Sequence, residues 1–247
     1  MRTWAIFKRE LRANFDSPAP YVVICLTMML LGYWVFHGSD TFGQPSFWAA
    51  GQASFETMFR GLPWAVMLVT SILTMRVFSE EKRSGTLELL ITLPVKDWEV
   101  VVGKFFGTFM VVVILLATTL LYPVLMFKFW DFGALDAGPV IAGYLGLIFY
   151  AAAATAIGLM ISSLFESQMI TLFVTLAILA GFNIIGLAGG LSEQEWLKTV
   201  LNFVSFDARL APFAKGLVTT RDLIFFATIT IGALMVSFRA LERRKWA

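Results

Sequence analysis

Six runs of apolar sequence, at 21–36, 63–78, 100–127, 140–165, 169–187 and 223–238, constrain this chain more than any other feature. Each approaches or exceeds the roughly 20 residues with which a helix crosses the hydrocarbon of a bilayer. Lipid offers no partner to a bare backbone amide, so a spanning segment must be a helix or a strand of a closed barrel. The runs here are continuous rather than alternating, which argues against a barrel. The expected fold is all-α integral membrane with six transmembrane helices. Composition agrees, because only 15% of the 247 residues are charged, against about 25% in a soluble domain. No soluble domain of any size remains between the runs, so residues 1–247 read as a single transmembrane domain.

Cations set the expected orientation. Thirteen fall in the N-terminal segment, the second connection and the C-terminal tail. Six fall on the other side, namely Arg60, Lys128, Lys198, Arg209, Lys215 and Arg221. The excess places both termini in the cytoplasm, in agreement with an even number of spans. The largest outer piece is the loop 188–222. Within it, Ser192 and Glu195 have the spacing of a capping box, which predicts a short helix there.

The first sixteen residues form a second kind of element. On a helical wheel Trp4, Phe7, Leu11 and Phe15 share one face, and Arg2, Lys8, Arg9 and Arg12 share the other. That pattern predicts an interfacial helix with its aromatic face in lipid and its cations toward anionic headgroups. Asp16, Ser17, Pro18 and Pro20 then turn the chain into the first span. The charged stretch is long, and no small-x-small cleavage site follows the apolar run, so the run is read as a retained span rather than a leader.

Residues 79–98 are the most charged connection. Glu80, Glu81, Lys82 and Arg83 precede Ser84 and Gly85. Thr86 has the side chain to cap a helix, and Glu88 suits the positive end of its dipole. Leu87, Leu90 and Ile91 then fall on one face, and Pro94 stops the helix at the preceding residue. A short amphipathic helix of this kind suits docking into a partner's groove. An ordinary headgroup-bound loop has the same composition.

The run F-S-E-E-K-R-S-G-T-L-E-L-L-I-T-L-P-V followed by V-G-K resembles the signature of permeases of type-2 ABC transporters, the ABC-2 family. Glu80, Glu81, Gly85, Thr86, Glu88, Leu90, Pro94, Val95, Gly103 and Lys104 carry the match, the last two at the entry to the third span. The resemblance implies that Glu80, Glu81, Gly85, Thr86, Leu87, Glu88, Leu90, Ile91 and Pro94 form a coupling element seated on a separate cytoplasmic ATPase. It implies an N-terminal elbow helix bearing Trp4, Phe7, Lys8, Arg9, Leu11 and Arg12. It further implies two ATPase copies, a second permease copy or paralogue, and residence in a bacterial inner membrane. ATP and magnesium would be held by the partner, with no cofactor in this chain. The stretch 205–226, through Lys215, Gly216, Arg221 and Asp222, is similar to permeases of the gliding-motility and multicopper-enzyme-maturation type. A periplasmic accessory protein over 188–222 is compatible with either.

Other chemistries find little support. No G-x-x-x-x-G-K-[ST] phosphate loop occurs, so the chain does not supply its own P-loop ATPase. One cysteine, Cys25, and one histidine, His37, form neither a disulfide nor a soft-metal path, and the eleven methionines are dispersed. A net charge of +2 does not point to nucleic acid. The pair Glu80–Glu81 echoes intramembrane prenyl-endopeptidases, but position 85 is Gly and later spans carry no histidine. No ionisable residue sits in the middle of a span, which weakens an ion-coupled carrier. A scaffold that binds a partner through 86–93 without transport is the alternative from another class. Asn183, within a span, is expected to make a helix–helix hydrogen bond. The small-residue stripe Ala142, Gly146, Ala154 and Gly158, and the pairs Gly103/Gly107 and Gly186/Gly190, are expected to pack helices of one subunit closely.

Overall fold

The structure is a computed structural model that describes residues 2–37, 56–85, 96–129, 137–191 and 194–243. Among these, every regular element is a helix: α1 (Arg2–Asp16), α2 (Ala19–His37), α3 (Glu56–Val77), α4 (Ser79–Arg83), α5 (Asp97–Thr119), α6 (Leu121–Phe129), α7 (Ala137–Leu164), α8 (Gln168–Leu191), α9 (Glu195–Val204), α10 (Phe206–Ala214) and α11 (Thr220–Arg243). Among the described residues, five stretches are long and apolar enough to cross a membrane, in α3–α4, α5–α6, α7, α8 and α11. The expected first span lies in α2, which meets that description only as one arm of a pair with α1, bent by 68°.

Prolines explain where the observed helices depart from the expected spans. Residues 100–127 do not form one helix, because the chain breaks at Leu120. Pro123 has no amide hydrogen to give the carbonyl four residues back, that of Thr119, and its ring crowds it. The second span starts earlier than expected, at Glu56, and tolerates Pro63 inside it. Its last turn runs on, after a turn at Phe78, into α4. The expected connection 79–98 is therefore helical in its first five residues. The capping box expected at Ser192 and Glu195 is not the start of α9, where Gln194 holds the cap position and makes no side-chain capping bond. Ser192 lies outside the described residues.

The core is built from α3, α5 and α7, and α7 packs along α11 and α3. Small residues set the spacing. A Cβ on Gly146 would stand 2.7 Å from Phe213 of α10, and one on Gly158 would collide with Thr74 of α3. Ala142 and Ala154 are buried on the same helix. These four residues thus pack helices of this chain, as expected. Gly186 faces Ser205 at the α9–α10 junction. Asn183 donates to the Tyr150 hydroxyl at 3.0 Å and to the Leu179 carbonyl at 2.9 Å, so it joins α8 to α7 as expected. Tyr150 in turn donates to the Pro63 carbonyl at 3.1 Å.

At one end of the bundle α9 and α10 fold back over the spans. Arg209 and Asp222, both buried, pair at 2.6 Å and fasten α10 to the first turn of α11. Two further nitrogens of Arg209 donate to the Phe203 carbonyl at 3.1 Å. Its guanidinium lies between the rings of Phe203 and Phe225, 4.4 and 4.8 Å from their centroids. The resemblance drew attention to Asp222, whose partner Arg209 lies thirteen residues earlier. Gly216 closes this end with φ +83°, a conformation that L side chains rarely adopt.

Candidate functional site

The opposite end of the bundle carries the charges. It is assembled from α1, the α3–α4 break, the first turns of α5 and the tight turn between α7 and α8. The N-terminus of α5 is fixed by Glu99, whose carboxylate accepts the Lys96 amide at 3.1 Å. Asp97 and Glu99 also place negative charge at the positive end of the helix dipole.

Lys104, two turns into α5, is 1% exposed. A buried ammonium is tolerated only when its three hydrogens find acceptors. Here they do: Glu10 Oε1 of α1 at 2.9 Å, Glu81 Oε1 of α4 at 2.8 Å and the Val77 carbonyl of α3 at 3.0 Å. The Phe78 ring lies 5.2 Å away. Arg9 adds a second cation from the rim, 3.3 Å from Glu10 and 3.6 Å from Glu81. Four helices therefore meet at one nitrogen.

Two glycines make that meeting possible. A Cβ on Gly103 would stand 2.8 Å from the Ile6 side chain and 3.2 Å from the Thr3 carbonyl. One on Gly107 would stand 2.7 Å from Glu10 Cβ. With hydrogen at both positions α1 lies directly on α5, and Glu10 reaches Lys104. The expected orientation of α1 is corrected accordingly. Trp4 is exposed and stacked on Phe7, but Ile6, Leu11 and Phe15 pack against the protein core rather than turning only to lipid. Lys8, Arg9 and Arg12 are exposed, as the helical wheel required.

A second clasp holds α4 from the other side. The amides of Phe78 and Ser79, freed by the break, donate to Ser162 Oγ of α7 at 3.0 and 3.2 Å. Ser79 Oγ lies 2.8 Å from Thr171 Oγ1 of α8, and Lys82 Nζ donates to the Ser163 carbonyl. After α4 the chain turns at Ser84 and Gly85. Gly85 has φ +70° with open space around it, so the backbone conformation rather than crowding calls for glycine.

Of the residues singled out in the sequence, the structure brings Glu81, Lys104, Arg9 and Gly103 together. Glu80 lies beside them, exposed. Thr86, Leu87, Glu88, Leu90, Ile91 and Pro94 lie outside the described residues. Sequence reasoning missed Glu10, Gly107's contact with it, and Ser162. A glutamate set among Lys8, Arg9 and Arg12 in the N-terminal helix was the available signal for Glu10. For Ser162 there was none, because its partners are backbone amides exposed only by a helix break.

This arrangement defines a multi-span α-helical membrane protein whose charged end is joined by a buried ion network. The chain belongs to a family described as ABC-2 family transporter protein, whose family model matches residues 39–208, more than two thirds of its length. It is thus a membrane-spanning permease component of an ABC transporter. No curated protein matches it. The matched region covers α4, Lys104 and Ser162, and leaves α1 and α11 outside.

Proposed function

We propose that this permease transmits the motion of a separate cytoplasmic ATPase, seated on 86–93, into rearrangement of its spans for export or mechanical work. The observation that carries this reading is the double anchorage of α4. Lys104 ties it to α1 and α5, and Ser162 and Thr171 tie it to α7 and α8. A push delivered just beyond Gly85 has no slack in which to dissipate, and reaches four other helices at once. Side-chain chemistry for hydrolysis is not required of this chain, since ATP and magnesium belong to the partner. Two permeases and two ATPases in a bacterial inner membrane, with both termini cytoplasmic, complete the proposal. The stretch 205–226 supports placement among the gliding-motility and multicopper-enzyme-maturation type, with room for a periplasmic accessory protein over 188–222.

The test is ATP hydrolysis by the complex co-purified with the ATPase encoded beside this chain. Glu88→Ala and Leu90→Asp are expected to weaken association or lower hydrolysis. Wild-type behaviour of both variants, or failure of any ATPase to co-purify, would sink the lever reading. A scaffold or an ion-coupled carrier would then take its place, the second marked by dependence on an ion gradient.

A further inference from the structure

Beside the Lys104 network lies a pocket of about 460 Å³, walled by α1, the α1–α2 turn, the last turn of α3 and α4. That is within the range of small-ligand sites, roughly 300–1,000 Å³. One wall is apolar, with Pro20, Ile72 and Leu73. The rim carries charges of both signs. Arg9, Glu10, Glu81 and Lys104 satisfy one another. Two lining residues do not take part: Arg76 and Glu80 have no ion-pair partner among the described residues, although both are exposed at the pocket. They are four residues apart, on either side of the turn at Phe78, and no ion pair joins them. Exposed Tyr21 follows the lining residue Pro20 in the chain, and Trp4 and Trp98 are exposed on α1 and α5, side chains of the kind that mark a membrane–water interface.

We propose that this pocket binds the headgroup of an amine-bearing zwitterionic phospholipid. Its phosphate lies against Arg76 and its primary ammonium against Glu80, while the glycerol and first methylenes follow the Ile72 and Pro20 wall. An anionic headgroup leaves Glu80 facing negative charge. A quaternary headgroup has no N–H to donate to it, and so loses a charge-assisted hydrogen bond. This assignment goes beyond coupling to an ATPase and does not depend on it.

The test uses the purified full chain without an ATPase, so its outcome is independent of the lever reading. The chain in mild detergent is equilibrated with equal amounts of phosphatidylethanolamine, phosphatidylcholine and phosphatidylglycerol of matched acyl chains. Bound lipid is then counted by native mass spectrometry. Phosphatidylethanolamine is expected to be enriched, and Arg76→Gln and Glu80→Gln each to cut that enrichment roughly three- to tenfold, the loss of one ordinary hydrogen bond at an exposed site. Lys198→Gln, on exposed α9 at the other end, is expected to leave it unchanged, and thermal melts check that the variants fold. Soluble phosphoethanolamine is expected to compete poorly, because it lacks the apolar portion. Equal retention of the three lipids, enrichment that survives both variants, or lipid-free dimers in which a second copy covers the pocket would each overturn the assignment.

Discussion

Replacing Lys104 with methionine removes the one cation that is fully inside the joint while keeping an unbranched chain of similar length. Glu10 Oε1 and Glu81 Oε1 stand 2.9 and 2.8 Å from the same nitrogen. With that nitrogen gone, two carboxylates remain within about 6 Å of each other, which at an effective dielectric of 20 costs about 3 kcal/mol. Their side chains are 13% and 21% exposed, so water and Arg9 soften the repulsion without abolishing it. Two charge-assisted hydrogen bonds and the bond to the Val77 carbonyl are lost as well. Breaking a fully buried pair costs about 3–5 kcal/mol, and partial exposure here lowers the expectation to about 2–4. For a chain of this size that corresponds to a fall in Tm of about 5–12 °C, read from tryptophan fluorescence of the detergent-solubilised protein. The triple variant Lys104→Met, Glu10→Gln, Glu81→Gln removes the repulsion together with the attraction. It is expected to recover at least half of the loss, because the three changes share one network and do not add. A single variant within 1–2 °C of wild type, or a triple variant that melts below it, refutes the argument that charge balance holds α1, α4 and α5 together.

Three further outcomes follow from the packing. Gly107→Leu places carbon where Glu10 Cβ already lies, at an expected cost of about 1–3 kcal/mol; a cysteine introduced at Ile6 should then react faster with a soluble maleimide as α1 lifts from α5, and unchanged labelling would count against the contact. Ser162→Ala strips the acceptor from the Phe78 and Ser79 amides, costing about 1–3 kcal/mol; it should reduce ATPase stimulation in the assembled complex. Arg209→Gln should destabilise by about 3 kcal/mol or more, since it leaves Asp222 buried without its partner. Arg209→Lys should rescue little of this, because a single ammonium cannot reach Asp222, bond twice to Phe203 and fill the slot between two rings; a wild-type Tm for the lysine variant would contradict that account.

What the sequence disclosed and what it concealed divide along a physical line. Five of the six expected spans were legible, because the bilayer criterion depends on length and apolarity alone, both local properties. The role of Asn183 was legible for a similar reason: an amide in a greasy run has few uses. Helix breaks were less so. Pro123 was in plain view, yet its effect appears at Leu120, upstream of it, because the missing bond belongs to the carbonyl four residues earlier. The charge joint was least legible. Glu10 and Lys104 are 94 positions apart, and nothing in either neighbourhood says that a carboxylate and an ammonium will share one buried site.

That concealment bears on how the motif that begins at Ser79 should be understood. Glu81 was grouped with the residues that meet the ATPase, on the strength of its position in a motif. Its Oε1 instead faces inward to Lys104 and Arg9, while Glu80, its neighbour, is exposed beside it. Adjacent acidic residues on a helix point about 100° apart, so one can seal an internal joint while the other remains available at the surface. The motif is therefore not a uniform docking strip. Its first turn works inward as the anchor of α4, and any contact with a partner begins at the exposed residues that flank it and beyond the turn at Gly85. A substitution at Glu81 that impairs the complex would report on the integrity of the joint before it reported on docking. Glu81→Gln should thus lower the Tm of the isolated chain, whereas Glu88→Ala should leave it unchanged and act only when the ATPase is present.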